Sequence, residues 1–411
     1  MLELLPVFLI TFFGIFLNMW FFMVTFENLH TSILLKSKIT RRLPRVSILI
    51  PAHNEAASIG DTLRSVSKLD YPKSKLEVIV VDNASTDGTA EAAKRFSFAK
   101  VIKIDKKGKS FALERGFRSS HGEVIGILDA DTFVTRSALK KMVGYFADPM
   151  IGAVTNNIRV DEKKNLLSKF QHIEYAASAI SKKLLSILDA LYITPGTLSL
   201  VRRDAIKKVG FSSDTLTEDM DMALSLIKKG YKIFHCLDAE VRTIVPKTMR
   251  EWALQRIRWY RGYMENMSKH RDLIFNNKHM VLGWFVIPIS GLLSIAVGVY
   301  TTAYLIGDWG YNVAMGLNSL QYVSLVDQIQ LILSSFPSPA SLVYNPYALM
   351  LFSVVFFTSL SVILLSMRLV GGVSRKEMLY IPLYMMIYYS VIMLFWVVSS
   401  MQEVLKRGKT W

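Results

Sequence analysis

Charge is almost absent from one long part of this chain. Between Met280 and Val370 the only ionisable acids and bases are Asp308, Asp327 and Arg368. No ordinary soluble domain leaves so long a stretch uncharged, because its surface needs charged side chains throughout. The remainder is basic: the 411 residues include 49 Lys or Arg and 33 Asp or Glu, a net charge of +16, with 51% apolar residues. That apolar share excludes a disordered chain. A single cysteine, Cys236, excludes both a disulfide scaffold and a cysteine-built zinc site. What remains is an integral membrane protein carrying a sizeable polar domain.

Residues 4–26 form an almost unbroken apolar run, LLPVFLITFFGIFLNMWFFMVTF. As a helix it would span roughly 34 Å, enough for a hydrocarbon core of about 30 Å. A secretory signal would have a shorter core and a basic start. Here Glu3 precedes the run, and Lys36, Lys38, Arg41, Arg42 and Arg45 follow it. Residues 1–36 are therefore read as a retained anchor, with the polar domain cytoplasmic by the positive-inside rule. A C-terminal membrane region is expected over 280–401, with spans at 281–306, 347–367 and 379–401, followed by a basic tail at 402–411. Asp327, Gln328 and Gln330 favour an interfacial helix at 312–334. Three spans leave the tail outside, whereas counting 312–334 as a fourth puts it inside but exports Arg375 and Lys376. Pro288 and Pro382 predict kinks within two of the spans. The expected location is the cell membrane, multi-pass.

The polar region, 45–275, is long enough for one large α/β domain. Apolar runs at 46–50, 76–81, 101–104 and 124–128 read as buried strands, and 58–69, 89–96, 109–119 and 137–146 as helices between them. This alternation predicts a mainly parallel, doubly wound, Rossmann-like sheet. Ligands of such sheets bind beyond the carboxyl ends of the strands, where this sequence puts Glu55, Asp82, Asp129 and Asp131. Asp87, in Ser85-Thr86-Asp87-Gly88, reads as a turn former. No dinucleotide glycine fingerprint follows the first strand. Gly108-Lys109-Ser110 lacks the leading glycine of a phosphate loop, since position 103 is Lys. Dehydrogenase and ATPase readings fall away.

Asp129-Ala130-Asp131 sets two carboxylates at one strand terminus, a spacing that lets two oxygens approach a hard divalent ion. Thr217-Glu218-Asp219 opens a helical segment; its acids serve either as a cap or as a proton acceptor. Gln255, Arg258 and Trp259 fall at i, i+3 and i+4 and share a helix face. Arg suits a diphosphate and an indole suits a sugar ring. The same helix, with Trp252 and Trp259 as anchors, also fits a basic amphipathic helix lying on anionic lipid.

Taken in order, VSILIPAHNE, VIVVDNASTDGT, KGKSFAL, ILDADT, TPGTLSLVRR, TEDMD and QRIRW resemble the motifs of family-2 glycosyltransferases. The resemblance is closest to membrane-embedded synthases of the cellulose, chitin, hyaluronan and poly-N-acetylglucosamine type, and it covers about residues 45–265. It implies a GT-A fold, a UDP-sugar donor, Mg²⁺ or Mn²⁺ and a single inverting displacement. By the same resemblance His53, Glu55 and Asp82 would hold the base and ribose, with Lys109 near the donor. Asp129 would face the diphosphate and Asp131 the metal, both acids counting as metal candidates. Gly196 and Glu218 would border the acceptor, and Asp219 would be the general base. Gln255, Arg258 and Trp259 would close over the diphosphate and acceptor. His53 stands where Tyr is common, and Glu114 where Asn is frequent. Implied partners are the donor, a glycan or lipid acceptor and membrane lipids, with room for an oligomer or an export subunit and no nucleic acid. The leading expectation is a processive β-glycan synthase. Glycosylation of a membrane lipid is the alternative, and a non-enzymatic scaffold or transporter comes last because Asp82, Asp129, Asp131 and Asp219 are all present.

Overall fold

The computed structural model describes residues 5–29, 43–293, 346–371 and 374–405, with a few isolated positions between 294 and 345. An apolar helix, α1 (Leu5–Leu29), comes first. The polar domain then alternates β1 (Val46–Ala52), α2 (Ile59–Ser67), β2 (Leu76–Asn83), α3 (Thr89–Lys94), β3 (Ala99–Ile104), α4 (Lys109–Arg118) and β4 (Val124–Leu128). These four strands are parallel in the spatial order β3-β2-β1-β4. Their apolar runs are continuous because both faces of the sheet are covered. Along β1, Leu49 packs into one layer while Val46, Ile48 and Ile50 pack into the other. Each such buried side chain contributes about 1.5–3 kcal/mol.

Past β4 the sheet is no longer parallel. The chain continues through β5 (Thr132–Val134), α5 (Ala138–Val143), β6 (Ile151–Val160), α6 (Leu166–Ile187), β7 (Thr197–Arg202), α7 (Arg203–Val209), α8 (Glu218–Lys228), β8 (Lys232–Thr243) and α9 (Met249–Lys269). The eight strands are ordered β3-β2-β1-β4-β7-β6-β8-β5. β7 is antiparallel to β4 and β6, β8 is parallel to β6, and β5 is antiparallel to β8. The expectation of a mainly parallel sheet is thus corrected to a mixed one. The cause is local: Gly196, just before β7, accepts a 2.7 Å hydrogen bond from Asp129 N, just past β4. A strand that starts beside the end of its neighbour has to run back along it.

The C-terminal region contains α10 (Pro346–Val370), short turns at Arg375–Met378 and Ile381–Leu383, a π-helical turn at Tyr384–Tyr388, and α11 (Tyr389–Val404). Two segments, Ser353–Val370 and Arg375–Val404, are long and apolar enough to cross a membrane, and they overlap the spans expected at 347–367 and 379–401. The span expected at 281–306 is described only as far as residue 293, as two π-helical turns, Val281–Val286 and Pro288–Leu293. Pro288 opens the second of these, and Pro382 lies two residues before the turn at Tyr384–Tyr388. A proline lacks the N–H that a regular α-turn needs, and widened turns accommodate that loss. The interfacial helix expected at 312–334 and the basic residues at 36–42 and 406–409 lie outside the described residues.

The sheet and the C-terminal helices share one core. Leu49, Ile79 and Ile125 of the sheet belong to the same buried cluster as Phe170 of α6, Trp252 and Tyr263 of α9, Met367 of α10 and Trp396 of α11. Phe21 and Val24 of α1 join Ile180 and Leu184 of α6 in a second buried group.

Candidate functional site

Four separate elements are drawn together at the carboxyl end of β4. Asp129 and Asp131 follow that strand directly. The loop leading into β7 holds both halves of the site. At one end Gly196 O accepts from Asp129 N; at the other Thr194 Oγ1 donates to Asp219 O at 2.8 Å. Gly196 lies so close to the Asp129 carboxylate that a Cβ there would sit 2.6 Å from its Cγ. Only glycine fits. Where β7 begins, Leu198 takes a φ of 76° and forms a bulge against β4 between Ile127 and Leu128. Such a bulge re-aims the chain next to a site.

α8 starts at Glu218, so Asp219 lies in the first turn, where backbone N–H groups are free; Met220 N donates to its Oδ1 at 2.8 Å. α9 packs hard on this start. Asn266 Nδ2 reaches Thr217 Oγ1 at 2.9 Å and Gly262 O at 2.8 Å, and Gly262 leaves no room for a side chain beside Thr217. The fixed approach of the two helices turns Gln255, Arg258 and Trp259 towards the acids.

The result is a cleft of about 620 Å³. Its walls include His53, Glu55, Lys109, Asp129, Asp131, Gly196, Glu218, Asp219, Gln255, Arg258 and Trp259. Of the residues expected from sequence, only Asp82 is missing from the lining. It is buried in β2 and its carboxylate accepts from Ser85 N. At one end of the cleft, His53 Nδ1 lies 2.7 Å from Asn83 O. Asp87 accepts from Ala56 N and Thr89 N, as a turn former does. Trp252 does not face lipid; it is buried between Tyr388 and Phe395.

Lys109 Nζ bridges Asp129 at 2.7 Å and Glu218 at 2.9 Å. Burial opposes its charge, but the two carboxylates outweigh burial and hold the ammonium pKa well above its ordinary value. Conversely, burial would raise Glu218, yet Lys109 keeps it low. Asp131 is pushed up to about 7 by burial, then by Asp129 and Glu55. Asp219 is pushed up to about 6 by burial and by Glu218, and burial raises Glu55 as well. The cleft carries excess negative charge. Setting aside Glu174, which is paired with Arg256 behind the wall, five carboxylates face Lys109, Lys182 and Arg258. That surplus of two charges matches one divalent cation. Among the described residues no three Asp, Glu, His or Cys side chains form a closed metal cage. An open pair of carboxylates suits an ion that completes its shell with water and phosphate.

A sequence profile described as "Glycosyltransferase like family 2" matches residues 44–262, more than half of the chain and most of this cleft-bearing domain. The chain belongs to glycosyltransferase family 2. Among curated relatives, this family 2 transferase is 34% identical to the probable glycosyltransferase YdaM of Bacillus subtilis, over 64% of this chain and 68% of that one. It is 30% identical to the poly-beta-1,6-N-acetyl-D-glucosamine synthase of Staphylococcus epidermidis, over 70% of each. In fold it resembles the mannosyltransferase PcManGT of Pyrobaculum calidifontis, solved with GDP-Man and Mn²⁺. There the TM-score is 0.65 at 20% identity, over 98% of each chain. The mixed, Rossmann-like GT-A sheet agrees with that likeness in fold.

Sequence motifs missed half of the transferase's cleft. Glu174, Tyr175, Ser178 and Lys182 of α6, Tyr192 before β7, Tyr260 and Tyr263 of α9 and Trp396 of α11 also line it. The α6 set recurs at spacings of about one helical turn, so its members share one face of the helix. That shared face was the available signal. Trp396 had none, because its contribution depends on the tertiary seat of α11.

Proposed function

We propose that this chain transfers a sugar, with inversion, from a UDP-sugar to the hydroxyl of a growing glycan at the membrane. The observation carrying this reading is the meeting of Asp131, Asp219 and Trp259 on the wall of one cleft. Asp219 is the general base. Its carboxyl, raised to about 6, is basic enough to take the acceptor proton and still ionised at neutral pH. Arg258 forms no ion pair among the described residues and is free to meet the charge developing on the diphosphate leaving group. His53 and Glu55 bound the end of the cleft assigned to base and ribose. Trp259 offers its ring to the acceptor sugar, and Gln255 Oε1, buried without a partner, accepts from an acceptor hydroxyl. Glu218 acts through Lys109, which it shares with Asp129. Asp131 with Asp129 would hold Mg²⁺ or Mn²⁺, which when bound supplies charge neutralisation at the diphosphate.

Beyond Trp259 the cleft continues past Tyr260 and Tyr263 to Trp396 on the apolar helix α11. This reach to α11 supports a product that leaves along the C-terminal helices, as processive synthesis requires. The poly-N-acetylglucosamine synthase among the relatives makes UDP-N-acetylglucosamine the first donor to try. The same reach to an apolar helix also favours a second reading, in which one sugar goes to a membrane lipid. Nanodisc-embedded protein is incubated with a panel of UDP-sugars and GDP-mannose, with Mg²⁺ or Mn²⁺, and the products are sized and extracted. A ladder or high polymer supports glycan synthesis, and one sugar on an extractable lipid supports the second reading. If GDP-mannose alone is consumed, the UDP assignment fails.

A further inference from the structure

Behind the cleft wall lies a charged group that the proposed reaction does not use. Arg256 of α9 is 3% exposed. It donates from both terminal nitrogens to Glu174 of α6, at 2.7 and 2.6 Å. Tyr388, in the π-helical turn before α11, donates its hydroxyl to Glu174 at 2.8 Å and accepts from Arg256 at 3.2 Å. The guanidinium also lies between two indoles, 4.4 Å from the Trp259 ring and 6.0 Å from that of Trp252. Trp252 in turn rests on Tyr388, 4.6 Å centre to centre.

A buried ion pair is a poor choice for stability alone, since well-packed apolar side chains of the same volume are commonly as good or better. It does fix orientation. The bidentate fork sets the guanidinium plane, and the Trp259 ring lies over that plane. Trp259 lines the cleft; Arg256 does not. Tyr388 brings the third contact from the C-terminal helices.

We propose that Arg256, locked by Glu174 and Tyr388, is a positioning residue that sets the Trp259 ring and makes its pose depend on the seating of the segment leading into α11. This rests on the reading of Trp259 as the acceptor platform. The platform is therefore correct only while the C-terminal helix is docked, which couples acceptor binding to the membrane region.

Three variants test it in nanodiscs: Tyr388→Phe, Arg256→Lys, and the double change Glu174→Gln with Arg256→Met, which removes both charges together and leaves none buried alone. Two rates are read, donor hydrolysis to water and transfer to acceptor, with the ¹⁹F resonance of Trp259 in 5-fluorotryptophan protein, assigned by its loss in Trp259→Phe. Donor hydrolysis should stay within about twofold in Tyr388→Phe and Arg256→Lys, neither of which alters a residue of the cleft wall. Transfer should fall by roughly a hundredfold in the double variant, the usual cost of a displacement of about 1 Å, and by less in Tyr388→Phe, and the Trp259 resonance should move in all three. An unmoved resonance overturns the proposal, as does a fall of hydrolysis and transfer in parallel. A resonance that moves while both rates hold leaves the coupling standing and removes Trp259 from the acceptor site.

Discussion

Gly196→Ala concentrates the site's geometry in one methyl group. The new Cβ would lie 2.6 Å from Asp129 Cγ, whereas carbon atoms in contact rest at about 3.5–4.0 Å. The carboxylate has to retreat by roughly 1 Å. Its 2.7 Å link to Lys109 would then stretch to about 3.7 Å, outside hydrogen-bonding range. Lys109 would keep Glu218 alone, and the acids facing the donor would lose their spacing. A misplacement of this size costs about a hundredfold in rate, equivalent to about 2.7 kcal/mol of barrier. Overpacking itself costs about 1–3 kcal/mol of stability, so the variant should still fold. Initial rates against donor concentration, alongside a thermal melt, give both numbers. An alanine variant that melts normally and works within twofold of the parent would refute the claim that this contact holds the donor acids.

Asp219→Asn should remove about 10²–10⁴-fold of transfer while donor binding, measured by calorimetry, persists. In the parent enzyme the rate should climb as pH rises through about 6, where Asp219 loses its proton. Metal and pH are linked in stability too. Asp131 and Asp219 titrate above their ordinary values, so these two acids cost the metal-free fold nothing below about pH 4 and their full penalty once pH has risen through 6 to 7. Mn²⁺ should therefore raise the melting temperature more at pH 8 than at pH 5; an equal rise at both would exclude Asp131 as a ligand. Asn266→Ala frees the buried start of α8 from α9 and should cost about 1–3 kcal/mol, read by denaturant unfolding.

The first half of the sheet was legible because β1, β2 and β4 are buried on both faces and carry little but apolar residues. β6 and β8 were not, since Asn156, Asn157, Arg159 and His235 interrupt their patterns. Those side chains are buried, and their partners lie far along the chain: Asn156 with Thr197 O, Arg159 with Val370 O, and His235 Nδ1 with Thr155 Oγ1. Polar residues that bond to distant parts of the chain look like loop in sequence. In the site, acids at strand ends were readable from position alone. The pairing of Lys109 with both Asp129 and Glu218 was not, because a strand order with β7 running backwards has to be known first. Trp252 misled for a related reason: an aromatic on a basic helix looks the same whether it meets lipid or another helix.

The buried cluster that joins the sheet to α10 and α11 limits how this enzyme can be handled. Cutting after α9 to obtain a water-soluble catalytic fragment would strip the cover from Trp252, Tyr263 and Phe170 at once. A fragment so exposed should self-associate, and its weak activity would say more about the missing helices than about the chemistry.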